Sequence, residues 1–456
     1  MVSEDAGHGT STLPAMENRK AERVSIFLLL AAVLLPAVIS FGILYREALP
    51  APYQDDYAVI LAFASDYSQS APREKIMYIV TSQVNEYRLV FAHAIVASEL
   101  ALTDHVSFTF LTFLGNMFLL PIGYLLWLTY REEDKKTADQ LLAFLPISLL
   151  FFSLTYWENL NWATTDLQNI PVIFFSLLAI YLLLPDKSLA PTHAHLLGAC
   201  LAAALASFTS PNGFLLGPIG LLLFLANRAY AKAGAWCSSF ALPLAAYLYH
   251  YAPVAHIVGT ARYVTRPLFF LAFLGCGAIP LRWPAALLGV LILAIFWLAV
   301  RSRFDRQRPA AFYFTVWVLG TAALVAWVRG AAAFLIGSRY SIYSLLMLIF
   351  CYSFLAQSLP SRLPDFKRRR FYVTCTVLAL CIYLLANGHA YGKLGARRRM
   401  VLDGINLYRT DPVANSPMID KNLLKGFPEE REWEQRALTR AIQTHVYALP
   451  PPQQTH

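Results

Sequence analysis

The sequence predicts an all-α, polytopic membrane protein, and three observations carry that prediction. Apolar residues make up 57% of the chain and charged residues only 14%, against about 25% charged in an ordinary soluble domain. Mean hydropathy is +0.49. The apolar residues gather in runs close to the roughly 20 residues a helix needs to cross a bilayer, with the polar and basic residues confined between them. The formal charge of +9 therefore sets topology rather than forming a basic face, and no nucleic-acid partner is expected. All six cysteines fall inside apolar runs without metal-like pairing, which reads as core packing.

Taken in order, residues 1–23 are small and polar and end in Arg19, Lys20 and Arg23, as a disordered cytoplasmic tail would. The first span runs from Val24 to Tyr45, and no small-residue cleavage site follows it. Residues 46–105 then form a long first extracytoplasmic loop with half-apolar, amphipathic segments; Asp104 reads as the cap of the span beginning at Ser107. Further spans are expected near 107–130, 140–155 and 168–184, with Arg131, Lys135 and Lys136 marking a cytoplasmic turn. Two more flank the turn Thr209-Ser210-Pro211-Asn212-Gly213, and another covers 235–250.

Residues 267–283 are apolar but broken by Gly275, Gly277 and Pro280. A full crossing there would put Arg301, Arg303, Arg306 and Arg308 outside, so this stretch is expected to be re-entrant. Spans near 310–328, after Ser338 and at 371–386 bring the expectation to about eleven transmembrane helices plus the re-entrant segment. The membrane domain is thus 24–386. Residues 387–456 become an extracytoplasmic tail whose amphipathic helix starts at Pro428-Glu429-Glu430 and repeats Leu438, Ile442, Val446 and Leu449. The expected location is the inner (plasma) membrane, N-terminus inside and C-terminus outside.

The sequence holds no glycine-rich phosphate loop and no cytoplasmic loop long enough for a nucleotide site, which excludes an ATP-driven pump or a nucleotide-sugar enzyme. By parity the external polar groups are Asp55, Asp56, Glu86, Arg88, Glu158, Asn159, Asp166, Arg262, Arg266, Arg329 and Arg339. Carboxylates and arginines on one side of a bundle suit sugar transfer from a polyprenyl phosphate. A carboxylate takes the acceptor's hydroxyl proton, and arginine forks hold the departing phosphate. Asp55 is the first candidate base and Asp56 the second, although a short acid before Tyr57 also makes a helix cap. Arg88 and Arg339 are the phosphate candidates, Glu86 a further substrate contact, and Glu158-Asn159, between Trp157 and Trp162, a sugar platform or an interfacial aromatic belt.

The acidic pair is able to hold a divalent cation, but a lipid-phosphate donor does not require one, and neither metal nor cofactor is assigned. His93 and His105 read as packed or solvated, and Asp66 as part of a solvated loop face. Arg397-Arg398-Arg399 reads as a contact for anionic lipid headgroups, with no chemistry.

Gln54-Asp55-Asp56, Asn85-Glu86-Tyr87-Arg88, Trp157-Glu158-Asn159 and Ser338-Arg339-Tyr340 together resemble the GT-C superfamily of integral membrane glycosyltransferases, within a poorly characterised bacterial group. Tyr87 stands where that group has a histidine, and Trp162-Ala163-Thr164-Thr165-Asp166 where it has Gly-Phe-Gln. The resemblance implies a polyprenyl-phosphate sugar donor, inversion at the anomeric carbon, and a base from the acids of the first external loop. The acceptor would be a glycan, a lipid or another cell-envelope component. The rival class is a transporter or flippase of lipid-linked saccharides, for which repeated halves and mid-membrane charges are the signature. A non-catalytic scaffold comes third.

Overall fold

The computed structural model describes residues 12–132, 135–184, 192–253, 265–330, 336–358, 364–411 and 428–452. Residues 1–11, Arg262 and Arg362 lie outside them. Among the described residues the protein is helical throughout, and its sole strand-like pairing is an isolated bridge between Val84 and Tyr87. Eight helices of the described residues are long and apolar enough to cross a membrane: Glu22–Glu47, Phe108–Tyr130, Thr137–Leu160, Ala163–Leu183, Arg282–Arg301, Pro309–Arg329, Ser338–Ser358 and Phe366–Thr410. Four shorter apolar helices accompany them: Val90–Thr103, His193–Thr209, Pro211–Ala226 and Thr265–Gly275. The protein is therefore an all-α polytopic membrane protein.

The first helix begins at Thr12, inside the stretch expected to be a disordered tail. It carries Pro36, and one turn before it Ser148 on a neighbouring helix donates to the Val33 carbonyl. Phe27, Leu28, Leu34, Leu35 and Val38 point outward from it, an apolar face meant for lipid. The interrupted stretch predicted to be re-entrant folds as the eleven-residue Thr265–Gly275 helix. At about 1.5 Å per residue it reaches roughly half-way through a bilayer. It packs on Arg282–Arg301 at very short range: a Cβ at Gly275 would lie 2.1 Å from the Ala285 carbonyl, and one at Gly289 2.0 Å from that of Leu271. Only small residues permit so close a backbone approach.

Residues of the first loop build a second core outside the bundle. Tyr57, Val59, Ile60, Leu61 and Phe63 pack with Val96, Leu100, Trp162, Val401 and Leu438. The C-terminal helix Pro428–Gln443 lies on this layer, as its amphipathic pattern predicted. The helix stops at Gln443, so Val446 and Leu449 belong to the chain beyond it, where the Val446 carbonyl accepts from Val106 N–H at 2.8 Å. Asp66, expected to be merely solvated, pairs with Arg440 of that helix at 2.5 Å and accepts from the Tyr78 hydroxyl at 2.9 Å.

Two local expectations change. Asp104 does not cap the helix at Ser107. It closes Val90–Thr103 in the left-handed region at φ 61, while Ser107 caps its own helix by accepting from Phe110 N–H. The helix that carries the last apolar run does not stop with it near residue 386; Asp365–Thr410 is one helix of 46 residues. At about 1.5 Å per residue it spans nearly 70 Å, more than twice the roughly 30 Å hydrocarbon core, so its C-terminal half stands clear of lipid.

Candidate functional site

The acidic pair sits in a tight turn. Asp56 N–H donates to the Tyr53 carbonyl at 3.2 Å, and Gln54 is held at φ 50, a strained value for a residue with a side chain. That turn sends the two acids in different directions. Asp56 is 1% exposed. Its Oδ2 accepts from Tyr53 N–H at 3.0 Å, and its Oδ1 accepts from the backbone N–H and the hydroxyl of Thr164 at 2.8 and 2.6 Å. Thr164 opens the Ala163–Leu183 helix, so Asp56 satisfies a free N–H of that helix start from a distant segment. Burial pushes its carboxyl up to about 7 against those three donors. Asp56 is thus a structural tie and not a cavity wall. Asp55 is exposed and lines a cavity of about 290 Å³.

The second motif makes a two-residue reversal. Val84 and Tyr87 exchange backbone hydrogen bonds at 3.0 and 2.9 Å, and Asn85 takes the left-handed φ of 50 that asparagine tolerates. The reversal presents Glu86 and Tyr87 to the same cavity as Asp55. Arg329 enters from the end of Pro309–Arg329, 3.1 Å from Glu86 Oε1 and 3.3 Å from the Tyr87 hydroxyl. Burial pushes the Tyr87 hydroxyl up to about 12, so it faces the cavity as a neutral donor. Arg88 is not part of this wall. It is 2% exposed and its Nη1 donates to the Ala246 carbonyl, tying the loop to a neighbouring helix.

Arg339 also lines this cavity, its guanidinium carbon 5.2 Å from the Trp162 ring centroid and 5.3 Å from that of Tyr340. Glu158 and Asn159 do not line the polar cavity. They hold the corner that carries Arg339: Arg339 N–H donates to Glu158 Oε2 at 3.0 Å, Glu158 N–H to Ser338 Oγ at 3.2 Å, and Asn159 Nδ2 to the Arg339 carbonyl at 2.8 Å. Asn169 in turn donates to Asn159 at 3.1 Å. Trp162 is buried beneath Arg339, while Trp157 and Glu158 line the neighbouring, larger cavity.

A second, larger cavity of about 640 Å³ lies beyond this corner, with Phe269, Leu281, Ile336, Leu385 and Ala386 among its walls and Glu158, Arg282 and His389 among its polar residues. Asp166, counted among the external groups, is buried and accepts from Asn116 at 2.7 Å; His93 is buried and stacked on Phe63 at 4.1 Å. Among the described residues no group of three or more His, Cys, Asp or Glu gathers as a metal site.

The motifs thus bring Asp55, Glu86 and Arg339 together, along with Tyr87. Sequence reasoning did not single out Arg329, although its external position at a span end was visible. Nor did it find Asn212, whose amide reaches Thr321 and Tyr343 at 3.4 and 3.2 Å on the cavity floor. The turn residues around Asn212 were the available signal.

These features define a polytopic helical membrane protein with a charged cavity beneath the loop that follows its first span. No known family's sequence profile matches the chain, and no curated protein matches its sequence. A solved structure, ArnT from Cupriavidus metallidurans in the apo state, is similar at a TM-score of 0.46 and 14% identity, over 91% of this chain and 76% of that one.

Proposed function

We propose that this protein is a membrane glycosyltransferase that moves a sugar from a polyprenyl-phosphate donor to a hydroxyl of a cell-envelope glycan or lipid, on the extracytoplasmic side. One observation carries the reading: Asp55 shares a single cavity with Arg329 and Arg339. In the reaction the acceptor hydroxyl oxygen attacks the anomeric carbon while Asp55 takes its proton. The bond from that carbon to the phosphate oxygen breaks, and the electron pair leaves with the polyprenyl phosphate. A single displacement of this kind inverts the anomeric centre.

Arg339 and Arg329 face the charge that grows on the leaving phosphate. Arg339 and Asp55 lie within each other's electrostatic field, so the proton acceptor and the cation stand on the same stretch of wall. Glu86 keeps Arg329 oriented through their 3.1 Å pair. The apolar cavity across the corner is chemically suited to an isoprenoid chain.

The test is turnover of radiolabelled polyprenyl-phosphate sugars by the purified protein in nanodiscs. Free polyprenyl phosphate and a labelled acceptor are expected with at least one donor. Donors that stay intact, yet cross a vesicle bilayer when the protein is present, would replace this reading with the flippase.

A further inference from the structure

Arg397 lies at the far end of the chain from the acidic pair and is not part of the cavity wall, yet its guanidinium touches the turn that presents Asp55 and the segment that braces Arg339. Its carbon sits 4.4 Å from the Tyr53 ring centroid and 4.3 Å from that of Trp157. Nη1 donates to Asn161 Oδ1 at 3.1 Å, and Nη2 lies 3.6 Å from Glu158 Oε1. Arg397 is 7% exposed, which removes it from any lipid headgroup.

Each of these contacts leads to the cavity. Tyr53 is tied to Asp56 by two hydrogen bonds, and those bonds fix the turn that presents Asp55. Glu158 uses its other oxygen to hold Arg339 N–H. The two sides also meet directly, because the Tyr53 ring stands edge-on to Trp162 at 5.4 Å and Arg339 lies over the same Trp162. A chain of cation, ring, ring and cation therefore runs from Arg397 to Arg339.

We propose that Arg397 is a positioning residue that sets the register between the Asp55 turn and the Arg339 corner. The proposal rests on the reading that these two residues act on one substrate. It makes the outer half of the last helix a strut for the site. A planar, weakly hydrated guanidinium can lie against two rings while donating to Asn161 and pairing with Glu158; an ammonium has neither the plane nor the fork. Glu158 supplies the counter-charge that burial of Arg397 demands.

The test uses full-length protein in nanodiscs carrying Arg397→Lys. Amide hydrogen exchange is expected to quicken in residues 52–58 and 337–341 together, by about tenfold, with the distant helices unchanged. Trp157→Leu, which removes one ring face and keeps the ion pair, is the second variant, with the same two segments quickened by less. Quickening of neither segment, of one alone, or of the whole chain would overturn the proposal.

Polyprenyl-phosphate binding, read by tryptophan fluorescence, supplies the second arm. Arg397→Lys and Arg339→Lys are each expected to weaken it about tenfold, and the double variant by clearly less than the product. Fully multiplicative losses would contradict a role exercised through Arg339. A wild-type protein that binds no polyprenyl phosphate would sink the glycosyltransferase reading instead, and the exchange pattern alone would then decide the role of Arg397.

Discussion

The two cavities on either side of the Gly337–Arg339 corner differ in size and in chemistry. The smaller, about 290 Å³, gathers Asp55, Glu86, Tyr87, Arg329 and Arg339. The larger, about 640 Å³, is walled mostly by apolar side chains. They are separated by one braced turn, in which Glu158 faces the apolar side while its backbone neighbours and its carboxylate hold Arg339 on the polar side. The smaller cavity is where Asp55, Glu86 and two arginines converge, and under the proposed function it holds the reacting groups while the larger one takes the donor's chain.

The largest expected effect separates the two acids of the pair. Asp55→Asn removes the base and should lower turnover about 10³-fold, with the thermal melt unchanged because Asp55 is exposed. A variant that still turns over at the wild-type rate would remove Asp55 from the mechanism. Next comes Arg339→Ala. Loss of one charge-stabilising donor should cost about 10²-fold in kcat, measured at saturating donor. A loss confined to KM would make Arg339 a ground-state anchor only.

Filling the apolar cavity sharpens the comparison at a smaller scale. Ala386→Phe should weaken binding of a long-chain polyprenyl phosphate several-fold and leave a one-isoprene phosphate unaffected. Equal losses for both would assign the two cavities to the same end of the ligand.

The smallest effect is a pH slope. The Asp56 carboxyl stands at about 7 in the folded protein, against about 4 unfolded. Folding therefore favours its protonated form, so stability is fullest below about pH 4, falls as pH rises toward 7, and is level above that. Thermal melts of Asp56→Asn between pH 5 and 8 should be flatter than wild type. An unchanged slope would assign the dependence to another group.

How much of this was legible in the chain follows from range. Apolar runs and basic turns are local, and they delivered the membrane class, a break within 267–283 where a short apolar helix ends at Gly275, and the C-terminal amphipathic helix. The acidic pair was legible as a site by residue type, but not which acid faced inward, because that depends on the left-handed Gln54 and on Thr164 reaching Asp56 from another helix. Arg88 was a reasonable phosphate candidate until the Val84–Tyr87 reversal turned it onto the Ala246 carbonyl. Glu158 and Asn159 were found as a motif, yet their partners at Arg339 lie too far along the chain for any local pattern to register. Arg397 was hidden for the same reason, compounded by a helix that continues past its apolar run.

The most direct test of the account follows a donor labelled in both sugar and phosphate through the purified wild-type protein. The account predicts that the two labels part: sugar on the acceptor with inverted configuration, phosphate on free polyprenyl phosphate, and neither product with Asp55→Asn. Labels that stay together on one lipid, in wild type and variant alike, would contradict it.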